Sequence, residues 1–112
     1  MASPNVLTFT DDNWQKEVVE SSIPVVVDYG ATWCAPCKLL NPLMDKVADA
    51  YVGKAKVGKL DIGESQETAV KEGVSGVPRV YIYKAGKPRR TFAGMVSEGE
   101  LTKAIDEVLQ EA

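Results

Sequence analysis

The sequence predicts an α/β fold in which helices cover a mixed β-sheet. The run from Ile23 to Tyr29 is nearly continuous in β-branched residues, as is typical of a strand that is buried on both faces. Two segments, 34–51 and 97–109, repeat apolar residues at helical spacing. Strand and helix patterns alternate along the chain until two strands follow each other directly, which gives the order β α β α β α β β α.

The first part of the chain alternates strands with helices. A short strand is predicted at Val6–Phe9, and a helix capped by Thr10 or Asp11 is expected to run to about Glu20. The buried strand at 23–29 follows. Strands joined by helical crossovers are expected to be parallel.

A long helix is predicted from Cys34 to about Tyr51, with Pro42 inside it. Proline cannot donate a backbone hydrogen bond, and its ring crowds the preceding turn. The helix axis should therefore kink just after Asn41.

The second half of the chain holds a third strand, a short helix or turn, and a hairpin. The pattern predicts the strand at 56–62 and the helix or turn at 65–73. Two further strands, 80–83 and 89–92, are separated by the turn sequence 84–87 and should pair antiparallel.

The last helix begins at a capping-box pattern, because Ser97 is followed three residues later by Glu100. Its inner face is formed by apolar residues at helical spacing: Leu101, Ala104, Ile105, Val108 and Leu109. The sequence shows no repeats and no shift in composition, so residues 1–112 are expected to form a single domain.

Composition and charge argue against several classes of protein. A hydrophobic fraction of 45% and a charged fraction of 26% are ordinary for a globular domain of 112 residues. The net charge of −3 argues against nucleic acid as a partner. No apolar run approaches the roughly 20 residues of a membrane-spanning helix, and the first residues lack a signal-peptide pattern, so no membrane is expected as a partner.

Both cysteines of the chain lie in the stretch TWCAPCK, at Cys34 and Cys37. A disulfide between them would close too small a loop to stabilise the fold much. A zinc site normally needs four ligands, and the chain has no histidine and no third cysteine, so no metal is expected. Two inert core cysteines are also disfavoured, because the start of a helix after a Gly-Ala-Thr turn should be accessible.

The position of the pair favours thiol chemistry. In the first turn of a helix, unpaired N–H groups and the helix dipole stabilise a thiolate, and Cys34, which comes first, should be the more acidic thiol. A thiolate attacks disulfides, and a second thiol one turn later can resolve the mixed disulfide. Pro36 is tolerated there because its missing N–H would have no helical acceptor.

Three features together carry a family resemblance: the strand Val25 to Asp28, the motif Trp33 to Lys38, and Gly76-Val77-Pro78. With them, the chain resembles thioredoxin from about Leu7 to Leu109. The resemblance implies the thioredoxin fold, a five-stranded mixed sheet of order 1-3-2-4-5 flanked by four helices. It also implies the reduction of disulfides in other proteins.

The resemblance also assigns catalytic residues. Cys34 matches the exposed nucleophile and Cys37 the buried resolving thiol. Asp28 matches a buried carboxylate behind the pair, and Lys59 its partner on the neighbouring strand. Burial should raise the pKa of Asp28 and Lys59 should oppose this, so that Asp28 can take the proton of Cys37 directly or through a water. The alternative is an Asp28 that faces solvent and pairs with nothing.

Pro78 matches the family's cis-proline, which lies opposite the cysteines and frees the preceding backbone to pair with an extended substrate. The positions that match the substrate-binding surface are Trp33, Gly76, Val77, Pro78, Gly94 and Met95. Without the resemblance, Pro78 would be an ordinary loop proline. The alternative for Trp33 is a packed core aromatic, and the alternative for Met95 is a gap filler.

The sequence departs from the family pattern near the cysteines. Ala35 stands where glycine is usual, a change that could shift the redox potential. Gly30 stands where an aromatic residue is common. Arg79 replaces the usual threonine with a cation that either lowers the pKa of Cys34 or recruits acidic partners. We interpret the cations of the hairpin as groups that keep it solvated and protect the edge of the sheet: Lys84, Lys87, Arg89 and Arg90.

We therefore expect a thiol-disulfide oxidoreductase that reduces protein disulfides through Cys34 and Cys37, as a monomer and without a bound cofactor. Electrons should come from a thioredoxin reductase, either NADPH- or ferredoxin-linked. The expected compartment is the cytoplasm or, if a transit peptide was removed, the plastid stroma. Two alternatives stay open: a more oxidising oxidase, isomerase or redox sensor, and a binding subunit in which the redox chemistry is incidental.

Overall fold

In the computed structural model, which describes residues 2–111, a mixed five-stranded sheet lies between helices. The strands are β1 Val6–Phe9, β2 Val25–Gly30, β3 Lys56–Asp61, β4 Arg79–Lys84 and β5 Lys87–Ala93. The helices are a five-residue π-helix at Gln15–Val19, α1 Ala35–Leu39, α2 Asn41–Ala50, α3 Gln66–Lys71 and α4 Glu98–Gln110. Within the described residues, no helix combines the length and the apolar character that crossing a membrane requires.

The strand order is β1-β3-β2-β4-β5, as predicted. β3 pairs in parallel with β1 and β2, and β4 pairs antiparallel with β2 and β5. The predicted parallel strands with crossover connections and the terminal hairpin are therefore confirmed. β2 lies at the centre of the sheet, with a hydrogen-bonded neighbour on each side.

Alternate residues of β2 belong to two hydrophobic cores, one on each face of the sheet. Val26 belongs to the core beneath α2 and α4. Val27 and Tyr29 belong to the second core, on the face where the π-helix packs. Because β2 is buried from its first residue to Tyr29, it carries the polar Asp28 into the interior as well.

The segment predicted as an α-helix up to Glu20 is shorter and has a different hydrogen-bond pattern. The Thr10 hydroxyl accepts the Asn13 N–H at 3.2 Å in the turn before the helix, but the N-cap of the helix is Trp14 and not the predicted Thr10 or Asp11. The helix itself spans Gln15–Val19, and the Glu20 N–H reaches the Gln15 carbonyl, five residues back, at 2.9 Å. One or two turns of apolar spacing cannot distinguish an i+4 from an i+5 repeat, so the pattern locates this helix without defining its form.

The predicted long helix is two helices. α1 ends at Leu39 and α2 begins at Asn41, with Leu40 between them. Pro42 explains the interruption, because it has no N–H to donate to the Lys38 carbonyl four residues back. In place of the predicted kink just after Asn41, the structure has a break one residue earlier that divides the helix in two.

The hairpin between β4 and β5 turns at Ala85 and Gly86, whose φ angles are both positive, at 53° and 79°. Its arginines do more than face solvent. Arg89 and Arg90 form ion pairs with Glu111, at 2.8 Å and 3.1 Å. Solvation and edge protection are therefore an incomplete interpretation, because these cations also attach the hairpin to the end of α4.

Gly58 of β3 has no room for a side chain. A Cβ at this position would lie 2.6 Å from the Phe9 ring and 2.8 Å from the Leu7 carbonyl oxygen, both in β1. By contrast, a Cβ at Gly99, in the first turn of α4, would meet no atom within 4 Å. The two glycines therefore allow a matched comparison.

We expect Gly58→Ala to lower the free energy of unfolding by about 1–3 kcal/mol, because the added methyl group overpacks the contact between β3 and β1. Gly99→Ala is the matched control and should raise the free energy of unfolding by up to about 1 kcal/mol, since alanine favours a helix more than glycine does. Urea unfolding followed by circular dichroism measures both. Effects of the same sign and size would contradict the packing described for Gly58.

Candidate active site

The chain leaves β2 at Gly30 and enters α1 at the cysteines. Cys34 is the N-cap of α1, in an extended conformation with φ −98° and ψ 103°. Its Sγ accepts the N–H of Cys37 at 3.2 Å. The helix therefore begins where the sequence predicts, and one of its free first-turn N–H groups is directed at the Cys34 sulfur.

Cys34 and Cys37 are joined by a disulfide, so the structure represents the oxidised form. The two residues are enclosed to nearly the same extent, at 6% and 7% exposure, and pack with Ala31, Ile62 and Val77. The expected contrast between an exposed Cys34 and a buried Cys37 is absent from this form. The reason is that one covalent bond holds both sulfurs in the same apolar surroundings.

Asp28 is buried in the interior, with 3% of its surface exposed. Its Oδ1 atom has no hydrogen-bond partner among the described residues. Burial raises the pKa of this carboxyl from 3.8 to about 6, and the charge of Lys59 opposes part of the rise. The alternative of a solvent-facing aspartate is therefore wrong.

Lys59 lies directly opposite Asp28 in the pairing of β3 with β2. No ion pair joins the two side chains in the described part of the chain. The Lys59 ammonium instead donates a hydrogen bond to the side-chain oxygen of Asn41, at the start of α2. The predicted partnership with Asp28 therefore acts through charge at a distance and not through a contact.

From the sequence, Asn41 is expected only to mark the position of a kink. It lies four residues after Cys37, however, and residues at that spacing on a helix share one face. This spacing was the signal that could have placed the Asn41 side chain in the site.

A cavity of about 200 Å³ lies beside the disulfide. Residues of its wall include Asp28, Gly30, Cys37, Lys38, Asn41 and Lys59. Gly30 comes close to the cysteine, since a Cβ there would lie 3.3 Å from the Cβ of Cys37. The missing side chain at Gly30 leaves this space open, and the space is large enough for water between Cys37 and Asp28.

The Val77–Pro78 peptide bond is cis, in agreement with the resemblance. The Pro78 carbonyl accepts the Gly94 N–H at 2.9 Å, which holds two loops together. Val77 packs against the cysteine pair. The loop before β4 and the loop after β5 therefore meet beside the disulfide.

Trp33 and Met95 are exposed, at 72% and 53%. The alternative interpretations, a packed core aromatic for Trp33 and a gap filler for Met95, are therefore wrong. Trp33 directly precedes Cys34, and Met95 follows Gly94, so both side chains lie on segments that border the disulfide. Two large apolar groups are thus open to a partner at this edge of the sheet.

Arg79, the first residue of β4, extends its guanidinium along the loop that precedes Pro78. A Cβ at Gly76 would lie 3.5 Å from an Nη atom of Arg79. Within residues 2–111 Arg79 makes no ion pair. Its charge therefore lies next to the loop that the resemblance assigns to substrate binding.

The arrangement supports two-electron thiol chemistry, because a neighbouring cysteine pair can exist as a dithiol or as a disulfide. A buried carboxyl group and a cavity of suitable size for water lie beside the pair. In the range that the structure describes, no group of three or more histidine, cysteine, aspartate or glutamate residues is arranged to hold a metal ion.

The sequence matches the thioredoxin family over residues 5–107. A thioredoxin of Pseudomonas aeruginosa is 40% identical, over 93% of this chain and 96% of the relative. A thioredoxin of Allochromatium vinosum is 38% identical, over 93% and 97% of the two chains. A protein of Arabidopsis thaliana named Thioredoxin M4, chloroplastic, is 37% identical, over 98% of this chain and 57% of the relative.

The comparisons agree with the geometry of the site. The family match includes both bonded cysteines, and relatives of nearly equal length are named thioredoxins. The activity of the chain is therefore dithiol-disulfide exchange that reduces protein disulfides. Proteins of this kind work with a thioredoxin reductase and with disulfide-containing targets. The chain belongs to the thioredoxin family of thiol-disulfide oxidoreductases.

Proposed function

We propose that Cys34 is the nucleophile and Cys37 the resolving thiol in the reduction of protein disulfides. The observation that carries this assignment is the hydrogen bond from the Cys37 N–H to the Cys34 sulfur at the start of α1. In the reduced protein, this N–H and the helix dipole stabilise a thiolate at Cys34. Cys37 follows within bonding reach of that sulfur.

The proposed reaction consists of two exchanges. The Cys34 thiolate attacks one sulfur of the target disulfide, forms a mixed disulfide and releases the other target sulfur as a thiolate, which takes up a proton. Cys37 then gives up its proton and attacks the Cys34 sulfur, so that the first target sulfur also leaves as a thiolate. Two electrons pass to the target, and the chain is left with the Cys34–Cys37 disulfide.

Asp28 is the proposed acceptor of the Cys37 proton. The two residues line the same cavity, so a water there can carry the proton between them. Its pKa of about 6 makes Asp28 an effective base near neutral pH. Lys59 is proposed to keep that pKa from rising further.

The proposed substrate-binding surface combines exposed apolar groups with free backbone beside Pro78. Its residues are Trp33, Gly76, Val77, Pro78, Gly94 and Met95. The exposure of Trp33 and Met95 supports this assignment, because each can be covered by a target. The backbone of Val77 is proposed to pair with an extended segment of the target.

Arg79 is proposed to favour targets with acidic residues near the disulfide. Its guanidinium lies beside Gly76, on the proposed substrate-binding surface. That position favours recruitment of acidic partners over the alternative that Arg79 acts on the Cys34 thiol. A guanidinium recognises carboxylates with directed hydrogen bonds.

The proposed electron donor is a thioredoxin reductase, either NADPH- or ferredoxin-linked, and the exchange itself uses no bound cofactor. Relatives occur in bacteria and under a chloroplastic name. The cytoplasm or the plastid stroma is therefore the proposed compartment. Residues 1–112 are proposed to act as one domain and as a monomer, with neither nucleic acid nor a membrane as a partner.

Cys34→Ser should abolish the reduction of insulin disulfides, because no nucleophile remains to start the exchange. Cys37→Ser should also lose turnover but should accumulate as a mixed disulfide, since the first exchange still occurs. Mass spectrometry after mixing each variant with a single-disulfide peptide distinguishes the two. Accumulation of the adduct on Cys34→Ser instead would reverse the proposed roles.

Asp28→Asn should lower insulin-reducing turnover at pH 7 at least about tenfold, because the proton acceptor is removed. Asp12→Asn, at an exposed aspartate, is the matched control and should keep the wild-type rate. Full turnover in Asp28→Asn would remove the proposed role of this residue.

The same substitution should stabilise the oxidised protein. The pKa of Asp28 is about 6 in the folded chain against an ordinary 3.8, so the folded form binds the proton more tightly and loses stability as pH rises between these values. Asp28→Asn should therefore gain up to about 3 kcal/mol in free energy of unfolding at pH 7, and almost nothing at pH 3. Urea unfolding at both pH values measures this, and an equal gain at both would contradict burial of the charge as its cause.

Arg79→Thr should lower kcat/KM about threefold for peptide disulfides flanked by aspartate or glutamate, and leave neutral peptides unchanged. Lys103→Thr removes an exposed charge on α4 and serves as the control. Steady-state kinetics at low and high salt measure the preference, which salt should weaken. An equal loss with both kinds of peptide would show that Arg79 has no role in selecting targets.

A further inference from the structure

Lys59 and Asn41 form a polar contact that the proposed proton transfer does not use. The Lys59 ammonium donates a hydrogen bond to the side-chain oxygen of Asn41. Both side chains line the cavity that Asp28 also lines. The contact joins α2 to β3 at the wall of the active site.

The side chain of Asn41 has no capping role that would explain its presence. α2 has Leu40 as its N-cap, and no side chain makes a capping hydrogen bond there. Asn41 precedes Pro42 at the first position of the helix, where many residue types are acceptable. Its polar contact to Lys59 is therefore the feature that needs an explanation.

Within residues 2–111, Oδ1 of the buried Asp28 carboxyl group has no hydrogen-bond partner. A buried ionised carboxylate is strongly destabilised unless a cation or hydrogen-bond donors reach it. The charged groups that share its cavity are Lys59 and Asp61 of β3 and Lys38 of α1, with Cys37 as the titratable thiol in the reduced protein. The neighbour of Asp28 on β4 is the apolar Val80.

Lys59 is the cation of this group that faces Asp28 across the strand pairing. A lysine side chain is long and flexible, so an unrestrained ammonium would be attracted to the unpaired Oδ1 of Asp28. A neutral amide oxygen at Asn41 offers an alternative acceptor. The ammonium therefore has two competing partners, and in this structure it contacts Asn41.

We propose that Asn41 is a positioning residue that holds the Lys59 ammonium at the cavity wall and keeps it out of contact with Asp28. The amide leaves the positive charge near enough to act on the carboxylate but not to pair with it. Asp28 consequently retains its proton to a higher pH than it would beside a free lysine. The effect of Asn41 on turnover, although not on the titration itself, depends on the proposed role of Asp28.

The test is a pH titration of the Asp28 carboxyl carbon by ¹³C NMR in the oxidised full-length protein. Asn41→Ala should move the midpoint about 1 pH unit lower, because the released ammonium can pair with the carboxylate. Asn41→Gln keeps an amide oxygen and should restore most of the wild-type midpoint. Adding Asn41→Ala to Lys59→Met should not change the titration midpoint further, since the two residues act through one contact.

Lys46→Ala is the matched control, because Lys46 lies on the same helix and forms an exposed ion pair with Glu98. Its titration midpoint should equal that of the wild type. A wild-type midpoint in Asn41→Ala, or the same decrease in the Lys59→Met background, would overturn the proposal. The NMR titration needs no turnover, so its failure would reject the role of Asn41, whereas full activity in Asp28→Asn would reject the proposed proton acceptor.

Discussion

A carboxyl group enclosed in the central strand is the constraint on which this site depends. β2 has a neighbour on each side and is buried on both faces, so Asp28 is held in the interior, at the wall of the cavity beside Cys37. Interiors of this kind usually neutralise a charge or pair it fully. Here no ion pair reaches Asp28 within the described residues, and burial raises the pKa of its carboxyl group to about 6, in a cavity that Cys37 also lines.

Several departures from regular structure shape the surroundings of this carboxyl group. Gly30 leaves a cavity beside Cys37, where a larger side chain would fill the space. Pro42 divides the predicted active-site helix in two, and the second helix, α2, begins at Asn41. Asn41, the first residue after the break, supplies the amide oxygen that contacts Lys59.

Local patterns were sufficient to predict the strands and the place of the cysteine pair, whereas the order of the strands in the sheet came from the family resemblance. The apolar run of β2 predicts a central strand, and the spacing of Cys34 and Cys37 before a helical pattern predicts their place at its first turn. The contact of Lys59 with Asn41 was not predictable in this way, since it depends on how α2 packs against β3. The π-helical form of Gln15–Val19 was not predictable for another reason. Five residues are too few for the apolar spacing to define the helical period.

The two tryptophans lie in opposite environments, and this gives the chain two separate optical reporters. Trp14 is 4% exposed and packs edge-on against the rings of Phe9 and Tyr83. Trp33 is 72% exposed and adjoins the disulfide. Because an indole in water emits at longer wavelength than one in an apolar core, Trp33 supplies the red part of the fluorescence of the folded chain, from a position next to the disulfide. Trp14 supplies the blue part, and unfolding shifts that part to the red, so a loss of blue emission marks the loss of the core around Trp14.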